Sequence, residues 1–157
     1  MAIRNIVLDT DEVLRKKCRP VEVIDAKVLT LISDMIDTVK KADGVGLAAP
    51  QVGVLKRIFV INDPAKKKVY EIINPEIVAT SGTQQTAEGC LSVPGKYGVT
   101  NRPMKVTIRG IDRNGKKVEY TEEGLIAKAF CHETDHLDGI LYTDKVIRML
   151  SPEELEN

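Results

Sequence analysis

The sequence contains no tryptophan, few aromatic residues and no excess of either charge. Lys+Arg and Asp+Glu are balanced at 23 each, and aromatic residues make up 4% of the 157 residues. Nucleic-acid-binding surfaces normally need a basic excess and stacking rings, so this composition argues against nucleic-acid binding. A chain of this length can bury a core without disulfides or a structural metal, and we expect one domain over residues 1–157.

Long apolar runs are also missing. The N-terminal segment MAIRNIVLDTDEVLRKK is interrupted by charges too early for a secretory signal, and no stretch approaches the length of a membrane span. The three cysteines are odd in number and widely spaced, which is not typical of a disulfide framework. We therefore expect free thiols, no membrane partner and a cytoplasmic location, and the absence of a transit peptide is typical of a bacterial cytosol.

Local patterns predict a helix followed by a largely antiparallel sheet. Asp25 is a typical helix N-cap, and apolar residues recur at helical spacing after it, which predicts a helix over residues 25–42. Between Arg57 and Arg109, β-branched runs separated by turn residues predict strands. The pair Asn114-Gly115 between two such runs predicts an antiparallel hairpin.

A second helix is predicted over residues 122–138. Thr121 can cap its N-terminus, Glu122 and Glu123 suit its first turn, and Gly139 suits the position after its C-terminus.

This second helix carries the motif His132-Glu133-Thr134-Asp135-His136. Residues four apart lie on one helical face, so both imidazoles can bind one metal ion, and the Glu133 carboxylate can reach a water on that ion. These are the only two histidines of the chain, and with Leu125 and Ala129 they form a stripe expected to face the core. The pattern indicates a metal-dependent hydrolase.

Such a site needs a third protein ligand, and no third histidine exists. Cys131 points about 100° away from the motif face and is better explained as a small buried residue. Cys18 lies among basic residues with no other sign of a site. Cys90 is preceded by Gly89, which allows close backbone approach, and is followed by Pro94, which we expect to end the strand. A thiolate with two imidazoles suits Fe²⁺ or Zn²⁺.

A glycine-rich segment, GVGLAAPQVG at residues 44–53, superficially matches the dinucleotide fingerprint. The context is wrong, because a helix precedes it and Pro50 makes a following helix unfavourable. Gln51 is the polar side chain of this apolar loop. It can donate a hydrogen bond to a developing oxyanion, or it can satisfy backbone groups of the turn, and the sequence alone does not separate the two roles.

Together, GVGLAAPQVG, EGCLSVP and HETDHLDG resemble the three motifs of the peptide deformylases, in order and spacing. The resemblance implies an α+β fold, with antiparallel β-sheets packed around a central C-terminal HExxH helix and an additional N-terminal helix. It also implies removal of the formyl group from the N-terminal formylmethionine of newly made polypeptides, with release of formate. Nascent formylated peptides would be the partners, with at most weak association with the ribosome.

The family's functional residues carry over to matching positions here. The resemblance implies metal ligation by Cys90, His132 and His136, acid/base catalysis by Glu133, an oxyanion hole from Gln51 and the Leu91 amide, and substrate contacts by Gly46. We expect Val45, Leu125 and Ala129 to line an apolar pocket for the methionine side chain. Fe²⁺ is the ion that the family implies in the cell, and Zn²⁺, Ni²⁺ or Co²⁺ can replace it in preparations.

In the implied mechanism, Glu133 takes a proton from the metal-bound water, and the resulting hydroxide attacks the formyl carbon. The chain departs from the family at Cys131, where a glutamine is usual, which concerns the surroundings of the ligands and not the ligands themselves.

Two other hypotheses use the same residues. A zinc peptidase would cleave internal peptide bonds, but no convincing third His or Glu ligand is present. A non-catalytic module would close a four-ligand zinc site with Cys18, Cys90 and the two histidines, so that Cys18→Ser would abolish metal binding and Glu133→Ala would change little.

Overall fold

The structure is a computed structural model that describes residues 2–156. Its helices are α1 (Ala26–Lys41), α2 (Gly124–Leu137) and α3 (Pro152–Glu156). Its strands are β1 (Gly46–Ala48), β2 (Ile58–Asp63), β3 (Lys68–Ser81), β4 (Gln84–Cys90), β5 (Val93–Arg102), β6 (Lys105–Ile111), β7 (Lys117–Glu123) and β8 (Val146–Met149). No helix in this range is long and apolar enough to span a membrane.

The strands form two antiparallel sheets. A five-stranded sheet has the order β1-β2-β3-β6-β7, and a three-stranded sheet has the order β4-β5-β8. The predicted hairpin is confirmed: β6 and β7 pair with Ile111 opposite Lys117, and Gly115 in the turn has a φ of 76°. The α+β class and the antiparallel sheets are as predicted.

The five-stranded sheet is covered by a helix on each face. Along β2, Phe59 and Ile61 pack into a cluster with the apolar face of α2, whereas Ile58 and Val60 pack into a cluster with α1. Successive side chains of a strand point to opposite faces, so a strand between two helices must be apolar at nearly every position. The core therefore consists of two apolar layers, one on each side of this sheet.

The first helix forms as predicted. The Asp25 side chain accepts a hydrogen bond of 3.0 Å from the Val28 N–H, which satisfies a backbone donor of the first turn. The helix ends at Lys41, one residue short of the predicted end, with two lysines in its last turn.

The predicted start of the second helix is wrong. Thr121 belongs to β7 and does not cap α2, since its backbone pairs with Thr107 of β6 and the two hydroxyl oxygens lie 2.8 Å apart. The pairing with β6 continues to Glu123, so residues 121–123 are in the strand and cannot form the first turn of the helix. Gly124, with a φ of 64°, makes the change of direction from strand to helix. Gly139, with a φ of 74°, follows the helix end as predicted.

Candidate metal centre

Three potential ligands meet where β4 ends against α2. The Sγ atom of Cys90 lies 3.4 Å from Nε2 of His136, and the Nε2 atoms of His136 and His132 are 3.2 Å apart. Within residues 2–156, these three side chains are the one group of potential metal-binding residues whose ligand atoms all lie within 4.8 Å of one another. Both histidines are buried, so the predicted inward orientation of the stripe holds for them.

The other two cysteines lie in the apolar core. Cys131 is buried on α2 beside hydrophobic neighbours, as predicted, and burial raises its pKa to about 11. Cys18 is also buried there, with its pKa raised to about 11, chiefly by burial. Cys18 is not in the group formed by Cys90 and the histidines. The four-ligand zinc site is therefore wrong, and the third potential ligand is a cysteine, where the peptidase hypothesis needs a His or a Glu.

A buried network of charged side chains contacts His132 on the side of its ring that faces away from Cys90 and His136. Its Nδ1 atom lies 2.6 Å from Oε2 of Glu88 in β4, which leaves Nε2 directed towards Cys90 and His136. Arg102 of β5 donates two hydrogen bonds to the same Glu88 carboxylate, at 3.0 and 2.7 Å, and a third to Asp135 of α2 at 2.7 Å. A carboxylate on the far nitrogen of a ligating histidine fixes the orientation and tautomer of the ring.

The same charges decide the ionisation of the network. Burial opposes ionisation of Glu88, but the hydrogen bonds from His132 and Arg102 outweigh it and hold the pKa of Glu88 well below its usual range. Burial likewise disfavours a charged His132, yet Glu133, Cys90 and Glu88 raise the pKa of that imidazole well above its ordinary value. The pocket therefore favours a charged His132, whereas burial and the neighbouring His132 lower the pKa of His136 well below its usual value.

Glu133 lies next to this group and lines a cleft beside it. Its Oε2 atom is 3.9 Å from Nε2 of His132, and its Oε1 atom is buried with no hydrogen-bond partner among the described residues. Burial raises the pKa of Glu133 to about 7. A carboxyl group with such a pKa can both accept and release a proton near neutral pH.

Gln51 satisfies a backbone group of its own turn, and its amide nitrogen also lies next to Cys90. Its Oε1 atom accepts a hydrogen bond of 2.9 Å from the Ala48 N–H, which satisfies the turn. Its Nε2 atom lies 3.5 Å from Cys90 Sγ and donates to the Ser92 hydroxyl at 3.1 Å. The first bond sets the orientation of the amide, so its donor end points at the site.

A cleft of about 560 Å³ opens onto the site, a volume typical of small-ligand pockets. Its lining includes Val45, Gly46, Leu91, Leu125 and Ala129, together with Cys90, His132 and Glu133.

Two expectations about the surroundings of this cleft are wrong. Leu125 does not face the core: 48% of its surface is exposed, because it lies in the first turn of α2 at the cleft. Pro94 does not end the strand of Cys90: β4 ends at Cys90 itself, and Pro94 is the second residue of β5.

The donor set fits a divalent ion. One cysteine sulfur and two imidazole nitrogens are typical ligands of ions of borderline softness such as Zn²⁺ and Fe²⁺. The acidic side chains around them favour a cation at this point, and the hydrogen bond to Glu88 directs the free nitrogen of His132 inward. Cys90, His132 and His136 are therefore the residues that would hold the ion.

Several residues of the site were missed in the sequence. Glu88 and Asp135 lie inside two of the motifs, but nothing in the sequence assigned them to His132 or Arg102. Arg102 carries no local signal at all. Tyr142 lies beyond the HETDHLDG motif, and its ring stacks on His132 with the ring centroids 6.0 Å apart.

Comparisons with known proteins agree with this geometry. The family model described as polypeptide deformylase matches residues 3–151. The peptide deformylase of Alkaliphilus metalliredigens is 55% identical over 148 residues, which cover 94% of this chain and 99% of that protein. The crystal structure of a peptide deformylase from Legionella pneumophila is 49% identical, covers 97% of this chain and 88% of that chain, and has a TM-score of 0.88.

A second solved structure, a peptide deformylase from Synechococcus elongatus in complex with actinonin, is 38% identical to the chain. It covers 98% of this chain and 82% of that chain, with a TM-score of 0.87. Sequence and fold thus agree over nearly the whole length, and the chain belongs to the polypeptide deformylase family.

Proposed function

We propose that the cleft removes the formyl group from the N-terminal formylmethionine of newly made polypeptides and releases formate. Membership of the family makes the chain a peptide deformylase, a metal-dependent hydrolase. The observation that carries the assignment to this cleft is that Cys90 and His132, which meet His136, line it together with Glu133. We propose these three residues as ligands of one divalent ion, Fe²⁺ in the cell.

Such an ion lowers the pKa of a coordinated water and polarises a carbonyl oxygen. Glu133 is the base for the water and then the acid for the leaving amine, because its pKa of about 7 suits both transfers near neutral pH. It does not need to move far, since its carboxylate already lies 3.9 Å from a nitrogen of His132.

Gln51 and the Leu91 backbone N–H are the proposed oxyanion donors. The Gln51 amide is held by Ala48, so its Nε2 atom is directed at the site before any substrate binds. Leu91 directly follows Cys90 and lines the same cleft. Donors that are oriented in advance stabilise a developing negative charge without reorganisation, and losing one typically costs about 3 kcal/mol in the barrier.

The methionine side chain is proposed to lie against Val45, Leu125 and Ala129, with the substrate backbone along Gly46. All four residues line the cleft. The exposure of Leu125 supports this role, because a large apolar side chain exposed at a cleft is available to contact a ligand.

The test is an anaerobic assay of iron-loaded protein on a formyl-methionyl tripeptide, with formate and new amino groups both measured. We expect the parent to release formate and Glu133→Ala to be about 1,000-fold slower with an unchanged iron content. The same tripeptide without the formyl group is the control, and cleavage of its peptide bonds would indicate a peptidase. Equal formate release by the parent and Glu133→Ala, or by neither, would contradict the proposal.

A further inference from the structure

Gly46 lies directly against the carboxyl group of Glu133. A Cβ atom built on Gly46 would collide with Oε2 of that side chain and would lie 2.9 Å from its Cδ and 3.0 Å from its Cγ atom. Cβ atoms essentially never approach other heavy atoms closer than 3.0 Å. Any residue other than glycine at position 46 therefore has to displace Glu133 or be displaced by it.

The backbone itself does not require glycine at this position. Gly46 is in β1, opposite Ile61 of β2, and it is not among the glycines with positive φ. Alanine can adopt this strand conformation without strain. What glycine provides here is space, and the neighbour that uses the space is the Glu133 side chain.

Glu133 would have to give way inside a buried site. It is buried on α2, next in sequence to His132, and its Oε2 atom lies 3.9 Å from the nitrogen that faces the other ligands. A side chain at position 46 would press on the oxygen, the carboxyl carbon and Cγ together, so the carboxylate as a whole would shift relative to the ligands.

We propose that Gly46 is a positioning residue, which keeps the Glu133 carboxylate beside the metal ligands by leaving it room. The proposal rests on the function proposed above and adds to it, since Gly46 was assigned there only a contact with the substrate backbone. The neighbouring Gly44 shows the same principle for a different group, because a Cβ atom built there would lie 2.7 Å from Cδ1 of Leu91.

The two roles of Gly46 predict different kinetics for Gly46→Ala. If Gly46 positions Glu133, kcat falls about 100-fold and KM stays within about twofold, because a misplaced group slows the chemical step. In a Glu133→Asp background, whose shorter side chain leaves room, the same alanine costs less than about threefold. A rise in KM with unchanged kcat, or an equal cost in both backgrounds, would overturn the proposal.

A second measurement needs no activity. In metal-loaded protein, Gly46→Ala should lower Tm by about 5 °C in the parent and by no more than about 1 °C when Glu133→Ala has removed the crowded side chain. Gly98→Ala is the matched control: it is a strand glycine whose Cβ would meet Val146 Cγ1 at 2.6 Å, away from the cleft. Its Tm loss should be equal in both backgrounds, with kcat unchanged.

An equal Tm loss from Gly46→Ala in both backgrounds would overturn the proposal even if Glu133→Asp had no measurable activity. Failure of the proposed function is a separate result, because it would appear as a parent protein that releases no formate.

Discussion

The two sheets bury opposite kinds of side chain. In the five-stranded sheet, β2 buries four consecutive apolar residues, Ile58 to Ile61, between two helices. In β4 and β5 of the three-stranded sheet, all of whose residues are described, Val93 is the one buried hydrophobic side chain. The other buried side chains of these two strands are polar: Gln84, Glu88, Thr100 and Arg102.

The difference shows how the molecule separates stability from chemistry. Burying apolar side chains on both faces of the large sheet stabilises the fold without directional requirements. Burying charges in the small sheet costs desolvation free energy, and the hydrogen bonds between Glu88, Arg102 and Asp135 offset that cost only because each charge has a partner. In exchange for this cost, the charged network fixes the orientation of His132 by hydrogen bonds, which apolar side chains could not do.

The largest expected effect is that of Glu88→Ala. It leaves the buried Arg102 without its main partner and His132 Nδ1 without its acceptor. We expect a loss of about 3–5 kcal/mol in the free energy of unfolding and a metal affinity about 10–100-fold lower. Urea unfolding and competition with a chelator measure the two losses, and Glu88→Gln, which keeps an acceptor, should lose less of both. An unchanged metal affinity would show that the small sheet does not support the site.

Ile61→Ala is the matching change in the large sheet. Ile61 of β2 is fully buried in the cluster that includes the apolar face of α2, so the substitution should cost about 2–5 kcal/mol in the free energy of unfolding. The metal affinity of the folded protein should stay at the parent value, because the apolar Ile61 side chain makes none of the hydrogen bonds that hold His132, Glu88 and Arg102. A loss of affinity comparable with that of Glu88→Ala would remove the distinction between the two sheets.

An intermediate, pH-dependent effect is expected at the edge of the large sheet. The Tyr70 hydroxyl donates to Glu122 at 2.6 Å, and this bond, assisted by Lys66, lowers the pKa of Glu122 below its ordinary value of 4.5. Unfolding removes these interactions and raises the pKa of Glu122, so the unfolded chain binds more protons than the folded protein at acidic pH. The stabilisation is therefore fully present above pH 4.5 and is lost as the pH falls through the folded-state pKa of Glu122. Glu122→Gln should flatten the acid limb of stability in urea unfolding between about pH 5 and 3.

If Glu122→Gln leaves the slope of stability against pH unchanged, the acid sensitivity belongs to the buried charges of the small sheet instead. Repeating the pH series with Glu88→Gln would then locate it.

The smallest expected effect is that of Tyr142→Phe. The Tyr142 hydroxyl donates to the Lys96 carbonyl at 3.2 Å, which ties the segment after α2 to β5. Losing one such bond should cost about 1 kcal/mol in the free energy of unfolding. The ring stacked on His132 is retained, so chelator competition should give the parent metal affinity, whereas Tyr142→Ala should weaken it. Equal metal affinities for all three proteins would show that the stack contributes nothing to the site.

Local patterns predicted the elements well where one preference dominated. Asp25 and Gly139 mark helix ends because their chemistry suits nothing else nearby. Thr121 is compatible with both a helix N-cap and a strand. It is in a strand because its backbone pairs with Thr107 of β6, and this pairing cannot be read from the local sequence. Leu125 has the helical spacing of the histidine face, but it lies in the first turn of α2, where that face is exposed at the cleft and not buried in the core.

The chemistry of this protein is determined largely by its sequence. The four-residue spacing puts His132 and His136 on one helical face, and the absence of a third histidine makes Cys90 the candidate for a third ligand.

Only the tertiary structure decided what surrounds these residues. Glu88 meets Arg102 and His132, and Gly46 meets Glu133, across gaps in sequence that only strand pairing and helix packing close. Ligand types and spacings are local and can be read along a chain. Buried charge partners and close contacts depend on which elements pack together, and that is set by the fold as a whole.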